Sequence, residues 1–264
     1  MSAQAGHNTT GSDRTPRRRM EGGTRTSGSL SQGPSPRKPI ISVITVVRNG
    51  RDVIEQTILS VLDQWYPNLE YIVIDGGSTD GTVDIVKKYS DKLAYWTSEP
   101  DTGIYDAMNK ALEHVRGKGH LFLNAGDHFV GAVLSDALPI PSHLPVQKMN
   151  FIGRIAPARP KDHRQGIPYC HQGVIFETKG IRFDTKYRIA ADYQYYLDHG
   201  YTKLPAADAI GHVYYDNTGL SKINSRDRDQ EIASIIRDRF GIFWYLLFMV
   251  KCRFKDLVRF IMRR

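Results

Sequence analysis

The sequence predicts an α/β protein built on a mixed, mostly parallel sheet with helices on its flanks. Three observations predict it: short, almost unbroken apolar runs alternate with stretches of helical period, each run stops abruptly in small, acidic or amide residues, and the connections are short. Strands buried on both faces read as unbroken apolar runs, and strand–helix–strand order with short links implies right-handed crossovers.

The first strand covers residues 40–47 and closes in the turn signal Arg48-Asn49-Gly50. Asp52 with Glu55 three residues on resembles a capping box. Ile54, Ile58, Val61, Leu62 and Trp65 then share one helical face before Pro67. Residues 69–75 form a second strand, 76–81 a tight loop and 82–89 a helix through Val83, Ile85 and Val86. A third strand over 94–98 precedes a helix over 103–116, carried by Ile104, Met108, Ala111, Leu112 and Val115. Residues 120–123 are a fourth strand, ending in Asn124-Ala125-Gly126-Asp127. Beyond Asp127 the pattern loosens through Pro139, Pro141 and Pro145. Shorter strands are expected over 150–154 and 173–177, and a helix over 190–199 carries Asp192 near its start.

Both ends differ from this centre. Residues 1–39 lack periodicity and are rich in Gly, Ser, Thr, Pro and Arg, a composition expected to stay disordered. Residues 226–264 read as a helical segment that is apolar over 240–250; Phe254, Leu257, Val258, Ile261 and Met262 then alternate with Lys and Arg. Spanning a bilayer takes about 20 apolar residues, so this helix is expected to lie on a membrane surface and attract anionic headgroups. Packing on the domain or on another subunit is the alternative.

The 264 residues carry a formal charge of +8, but each end holds +5 and the middle is net −2, so the folded centre has no basic footprint for nucleic acid. Cys170 and Cys252 match no metal spacing and no disulfide framework, which fits a reducing compartment. The N-terminus lacks the apolar core of a signal peptide, and a cytoplasmic location is expected.

Chemistry concentrates at the strand ends. Asp75-Gly76-Gly77-Ser78-Thr79-Asp80-Gly81-Thr82 joins a strand to a helix, with glycines that let a ligand approach the backbone and a helix N-terminus that favours anions. It is neither G-x-G-x-x-G nor a loop followed by Gly-Lys-Ser/Thr, which weighs against dinucleotide oxidoreductases and P-loop hydrolases. In the stretch from Ser98 to Lys110, Asp106 and Asn109 lie three apart and share a helix face.

Taken together, Asp75, Glu99-Pro100-Asp101-Thr102-Gly103-Ile104-Tyr105-Asp106-Ala107 and Phe122-Leu123-Asn124-Ala125-Gly126-Asp127 resemble the motifs of the family 2 glycosyltransferases. The likeness is to members that assemble bacterial surface polysaccharides and glycolipids. It implies a GT-A fold over residues 40–225, with a nucleotide-binding half (40–127) and an acceptor half (128–225). By this resemblance Thr45, Val47, Asn49, Asp75, Glu99, Asp101, Asp106, Asn109 and Asn124 hold a nucleotide-sugar donor. Asp127 matches the carboxylate that binds Mg²⁺ or Mn²⁺, although Asn124 and Gly126 stand where many relatives carry further acids. Asp192 in Ile189-Ala190-Ala191-Asp192-Tyr193 matches the catalytic base of an inverting transfer to a glycan or lipid-linked acceptor. His171 and Gln172 resemble a His-Gln pair that would touch phosphate or acceptor, and Gly219-Leu220-Ser221 a loop that closes over the donor. Two other readings fit the residues less well. A nucleotidyltransferase would carry a Gly-rich basic loop after its first strand, where Val47-Arg48-Asn49-Gly50-Arg51 stands. The other is a non-catalytic nucleotide-sugar-binding scaffold.

Overall fold

The structure, a computed structural model, describes residues 19–27, 38–135, 138–149, 155–157, 162–216 and 225–261. Its elements in chain order are β1 (Met20–Gly22), β2 (Ile41–Val47), α1 (Arg51–Leu62), β3 (Leu69–Asp75), α2 (Thr82–Lys88), β4 (Tyr95–Ser98), α3 (Ile104–Leu112) and β5 (Gly119–Phe122). After these come β6 (His128–Val130), β7 (Ser142–His143), β8 (Val146–Met149), β9 (Ile155–Pro157), β10 (Val174–Glu177), α4 (Ala191–Asp198) and β11 (His212–Tyr215). Two helices, α5 (Ser225–Phe240) and α6 (Ile242–Ile261), end the described chain.

Seven strands form the main sheet in the order β1-β4-β3-β2-β5-β10-β7. Its centre is parallel: β2 pairs with β3 from Ile41↔Leu69 to Val47↔Asp75, and β4 and β5 join on either side. All seven residues of β2 are buried, as a strand covered by helices on both faces requires. The outer pairs of β1 with β4, β5 with β10, and β10 with β7 are antiparallel. A smaller sheet, β6-β11-β8-β9, lies beyond the acidic end of β5. One core layer packs Ile44, Ile72, Met108, Phe122, Phe183 and Tyr195; the other packs Val43, Ile54, Ile58, Val73, Val86 and Leu121.

Several expectations need correction. The tail is not structureless over its whole length, because β1 adds to the edge of β4. Arg19 donates to the Tyr95 hydroxyl at 2.8 Å, and Arg25 pairs with the buried carboxylate of Glu70. Those partners lie some 45 to 80 residues away, out of reach of a local composition argument. Asp52 does not cap α1. The N-cap position is Gly50, and the carboxylate of Asp80 accepts the Arg51 amide instead, at 3.0 Å. Trp65 lies past the end of α1 and is 94% exposed. The expected strand over 150–154 and the loop Gly219-Leu220-Ser221 lie outside the described residues.

Candidate functional site

The C-terminal ends of β2, β3 and β5 meet at one edge of the parallel sheet, where ligands collect in open α/β folds. The turn after β2 is welded to the loop after β3. The Asn49, Gly50 and Arg51 amides donate to Ser78 Oγ (2.7 Å), Thr82 Oγ1 (3.0 Å) and Asp80 Oδ2, while Asn49 Oδ1 accepts the Thr79 amide at 2.8 Å. Asn49 holds a left-handed conformation, φ 52°, that amide side chains tolerate better than most. These amides at the start of α1 are therefore engaged, and an anion has to be met elsewhere.

Asp75 sits beneath this loop, nearly fully buried. Its Oδ2 accepts the Gly77 amide (3.0 Å), the Ser78 amide (2.9 Å) and the Ser98 hydroxyl (2.7 Å), and its Oδ1 accepts the Ser78 hydroxyl. It organises the loop. Gly76, whose amide donates to Val47 O at 2.8 Å, is a position of close approach: the Asp101 carboxylate packs over its Cα, and a Cβ there would strike it and approach Arg48. Asp101 is half-buried; desolvation raises its pKa, against the lowering effect of the Gly103 amide and the nearby Arg48 charge. Asp106 accepts the Thr102 amide at 2.9 Å, and Lys110 bridges Glu99 at 3.1 Å to Asp106 at 3.7 Å. Glu99, Asp101 and Asp106 thus present their carboxylates along the loop between β4 and α3, with Lys110 between two of them.

Three assignments do not survive as direct ligand contacts. Thr45 is 0% exposed, donating to Leu123 O (2.8 Å) and facing the Tyr71 hydroxyl (3.0 Å) inside the sheet. Asn109 clamps the backbone of Phe183 with both ends of its amide, each at 2.9 Å. His171 is buried among Phe122, Phe176 and Phe183, with ring centroids 5.1, 5.7 and 5.9 Å away. Burial drops its pKa to about 3, so it is neutral and supplies no positive charge to a phosphate. Thr45 and His171 point inward, and the half-buried Asn109 amide is spent on the Phe183 backbone.

Asp127 is 3% exposed and its pKa is pushed up to about 7, chiefly by desolvation, with the Asp216 carboxylate adding to the rise. The Asp216 amide donates to Asp127 Oδ1 at 2.8 Å, and the Gln172 side chain hydrogen-bonds the same carboxylate. Gln172 therefore holds Asp127 instead of reaching outward. Asp216, at the end of β11, supplies the second carboxylate that Asn124 and Gly126 lack, and the Asn124 Oδ1 is buried without a hydrogen-bond partner. This oxygen-only donor set suits a hard divalent cation. Among the described residues no three acidic, His or Cys side chains converge closely enough to hold one alone. Asp216 was missed in the sequence; its signal is the one Asp75 and Asp127 share, an acid ending an apolar and aromatic strand.

Asp192 lies in the first turn of α4. Burial raises its pKa to about 6, countered by the Tyr193 amide (2.9 Å from Oδ1), the Arg228 charge and the Tyr105 hydroxyl. Tyr105 belongs to the same motif as Asp101 and Asp106, and its hydroxyl donates to Ile189 O at 2.7 Å, so α3 links that motif to Asp192.

Comparison with known proteins decides the family. The profile described as glycosyl transferase family 2 matches residues 42–131. An uncharacterized glycosyltransferase of Mycobacterium tuberculosis is 32% identical over 201 residues, covering 69% of this chain and 77% of the relative. The chain belongs to the family 2 glycosyltransferases. The putative teichuronic acid biosynthesis glycosyltransferase TuaG of Bacillus subtilis is 44% identical over 93 residues, 34% of this chain and 37% of TuaG. The mannosyltransferase PcManGT from Pyrobaculum calidifontis, solved with GDP-Man and Mn²⁺, superposes with a TM-score of 0.57 at 19% identity. The match covers 82% of this chain and 70% of that one and identifies the GT-A fold. This glycosyltransferase therefore carries its acids on a shared scaffold, at positions its own sequence sets.

Proposed function

We propose that this glycosyltransferase moves a sugar, with inversion, from a nucleoside-diphosphate donor to a hydroxyl of a glycan or lipid-linked acceptor in surface polysaccharide or glycolipid assembly. The observation that carries the reading is the buried Asp127 at the strand-end edge, held by the Asp216 amide at 2.8 Å, together with Asp192, whose entry peptide is hydrogen-bonded to Tyr105 of the α3 motif. The donor's nucleotide would lie along the loops that follow β2, β3 and β4, beside Arg48 and Asp101, with its diphosphate toward Asp127. Asp127 and Asp216 would hold Mg²⁺ or Mn²⁺ together with the donor's own phosphate oxygens and water. When bound, the cation acts as a Lewis acid that neutralises charge on the leaving diphosphate. Asp192 takes the proton of the acceptor hydroxyl as its oxygen bonds to the anomeric carbon; the bond from that carbon to the phosphate oxygen breaks, and the nucleoside diphosphate leaves with the electron pair. A base with a pKa of about 6 is ionised at neutral pH yet basic enough to share a proton in the transition state. The likeness to TuaG, a putative teichuronic acid biosynthesis glycosyltransferase, supports the polysaccharide setting.

The acceptor side is read from α6. Phe243, Leu246, Leu247, Val250, Phe254, Leu257 and Val258 are all partly or largely exposed, within an arc of about 120° on a helical projection. The opposite face, with Tyr245, Phe248, Met249 and Cys252, packs on the core. Exposed Lys251 and Arg253 flank the apolar arc on either side. Apolar stripe and cationic edges match an anionic bilayer surface, on which α6 would lie at the cytoplasmic face. No described helix is long and apolar enough to cross a membrane.

A panel of UDP-glucose, UDP-N-acetylglucosamine and GDP-mannose, with and without Mn²⁺, tests the donor and cation roles by thermal shift. One nucleotide sugar should raise the melting temperature more with Mn²⁺ than without it, and Asp127→Asn or Asp216→Asn should remove the extra increment. An increment unchanged in both variants would refute the cation site.

A further inference from the structure

Glu231, on α5, is engaged by none of the assignments above. Its carboxylate reaches back across the fold to the peptide that leads into α4: Oε1 accepts the Arg188 amide, and Oε2 accepts the Ile189 and Ala190 amides, all at 2.9 Å. A carboxylate that gathers three consecutive backbone N–H groups fixes that backbone more tightly than any single hydrogen bond in the region. The peptide ends at Ala190, the N-cap position of α4, two residues before Asp192. No side chain of α4 caps these amides, so without Glu231 the peptide that aims Asp192 would lose this three-fold anchor and keep the Tyr105 hydrogen bond to Ile189 O. One turn earlier on α5, Arg228 places its charge beside Asp192. The guanidinium is held by Asp229 Oδ1 through Nε (3.1 Å) and Nη2 (2.8 Å), and Asp229 Oδ2 accepts Lys255 Nζ of α6 at 2.8 Å.

We infer that Glu231 is a positioning residue for the base, and that α5 is an integral wall of the acceptor-side catalytic apparatus, not an appendage to the domain. This rests on the reading of Asp192 as the base. Glu231 itself touches no reacting atom; it sets where the Asp192 carboxylate sits relative to the acceptor oxygen, and a displacement of about 1 Å at such a group costs on the order of 100-fold in rate. The Lys255–Asp229–Arg228 chain ties the same wall to α6, the helix that carries the exposed apolar stripe.

The test places Glu231→Ala and Glu231→Gln in the full chain, each with Asp192 intact and with Asp192→Asn. Two readouts are taken: amide hydrogen exchange across residues 188–193, and nucleoside diphosphate release from whichever sugar of the panel above turns over, with water or a glycan as acceptor. Glu231→Ala should expose the Ile189 and Ala190 amides to exchange and lower kcat roughly 10- to 100-fold while the donor KM stays within about 2-fold. Glu231→Gln keeps one acceptor oxygen and should restore most of both. In the Asp192→Asn background, Glu231→Ala should cost nothing further, because a residue that acts only through another has no effect once that one is removed. Unchanged protection of the 189 and 190 amides in Glu231→Ala would overturn the inference whatever the turnover, and so would a full additional rate loss on top of Asp192→Asn. Full activity of Asp192→Asn by itself would instead refute the base assignment, a result read in that single variant and separate from the exchange measurement.

Discussion

Replacing Asp192 with Asn should make the protein more stable and nearly inactive at once. In the folded state burial lifts this carboxylate from 3.8 to about 6, a preference for the neutral form worth about 3 kcal/mol. The folded state thus binds the proton more tightly than the unfolded chain does. Below pH 3.8 both states are protonated and the group costs nothing; between 3.8 and about 6 stability falls as pH rises, and above 6 the full penalty is present. Asn carries no charge to desolvate, and its Oδ1 can still accept the Tyr193 amide; what it loses is attraction to Arg228, so the net gain at pH 8 is about 1–3 kcal/mol. For a domain of this size that raises the melting temperature by roughly 2–12 °C at pH 8, shrinking toward zero near pH 4. Turnover should drop by about 10²- to 10⁴-fold, and wild-type kcat should decline below pH 6 as the base takes up its proton. Differential scanning calorimetry at both pH values, alongside a pH–rate profile, checks each part. A variant no more stable than wild type at pH 8 would refute the buried-carboxylate argument, and undiminished turnover would refute the base.

Two further outcomes separate structure from ligand binding. Asn109→Ala leaves the Phe183 amide and carbonyl without partners and should destabilise the fold by about 2–4 kcal/mol, while donor affinity in the surviving folded fraction stays unchanged; chemical denaturation and donor titration measure the two separately. Introducing Asp at both Leu247 and Val250 should abolish flotation with vesicles containing anionic lipid, leave the melting temperature within about 1 °C, and spare turnover on a soluble acceptor, because both side chains face solvent.

Where sequence reasoning worked, it worked because the relevant physics is local. The strands β2 to β5 show as apolar runs, since a strand covered on both faces has no polar alternation to blur it, and Asp75 ends β3 and Asp127 follows β5 at the C-terminal edge of the sheet. Roles of single side chains were less legible. Thr45, Asn109 and His171 sit in the motifs that resemble the family's, yet Thr45 and His171 turn into the core and Asn109 clamps the Phe183 backbone, partners that chain position does not reveal. Asp216 and Glu231 were invisible for a different reason. Asp216 meets Asp127 across 89 residues of chain, and Glu231 meets the α4 entry across about 40, so only the fold brings them together.

The strand Met20–Gly22 has a practical side. A chain shortened to begin at residue 38 would retain every motif described above, and by composition it would look like a clean trim. It would also uncover the backbone of Tyr95–Ser98 along the outer edge of the parallel sheet, and it would strip Arg25 from the buried carboxylate of Glu70. Unpaired strand edges recruit strands from other molecules. Three residues of the arginine-rich N-terminal segment therefore cover an edge that would otherwise be free to pair with a strand of another molecule.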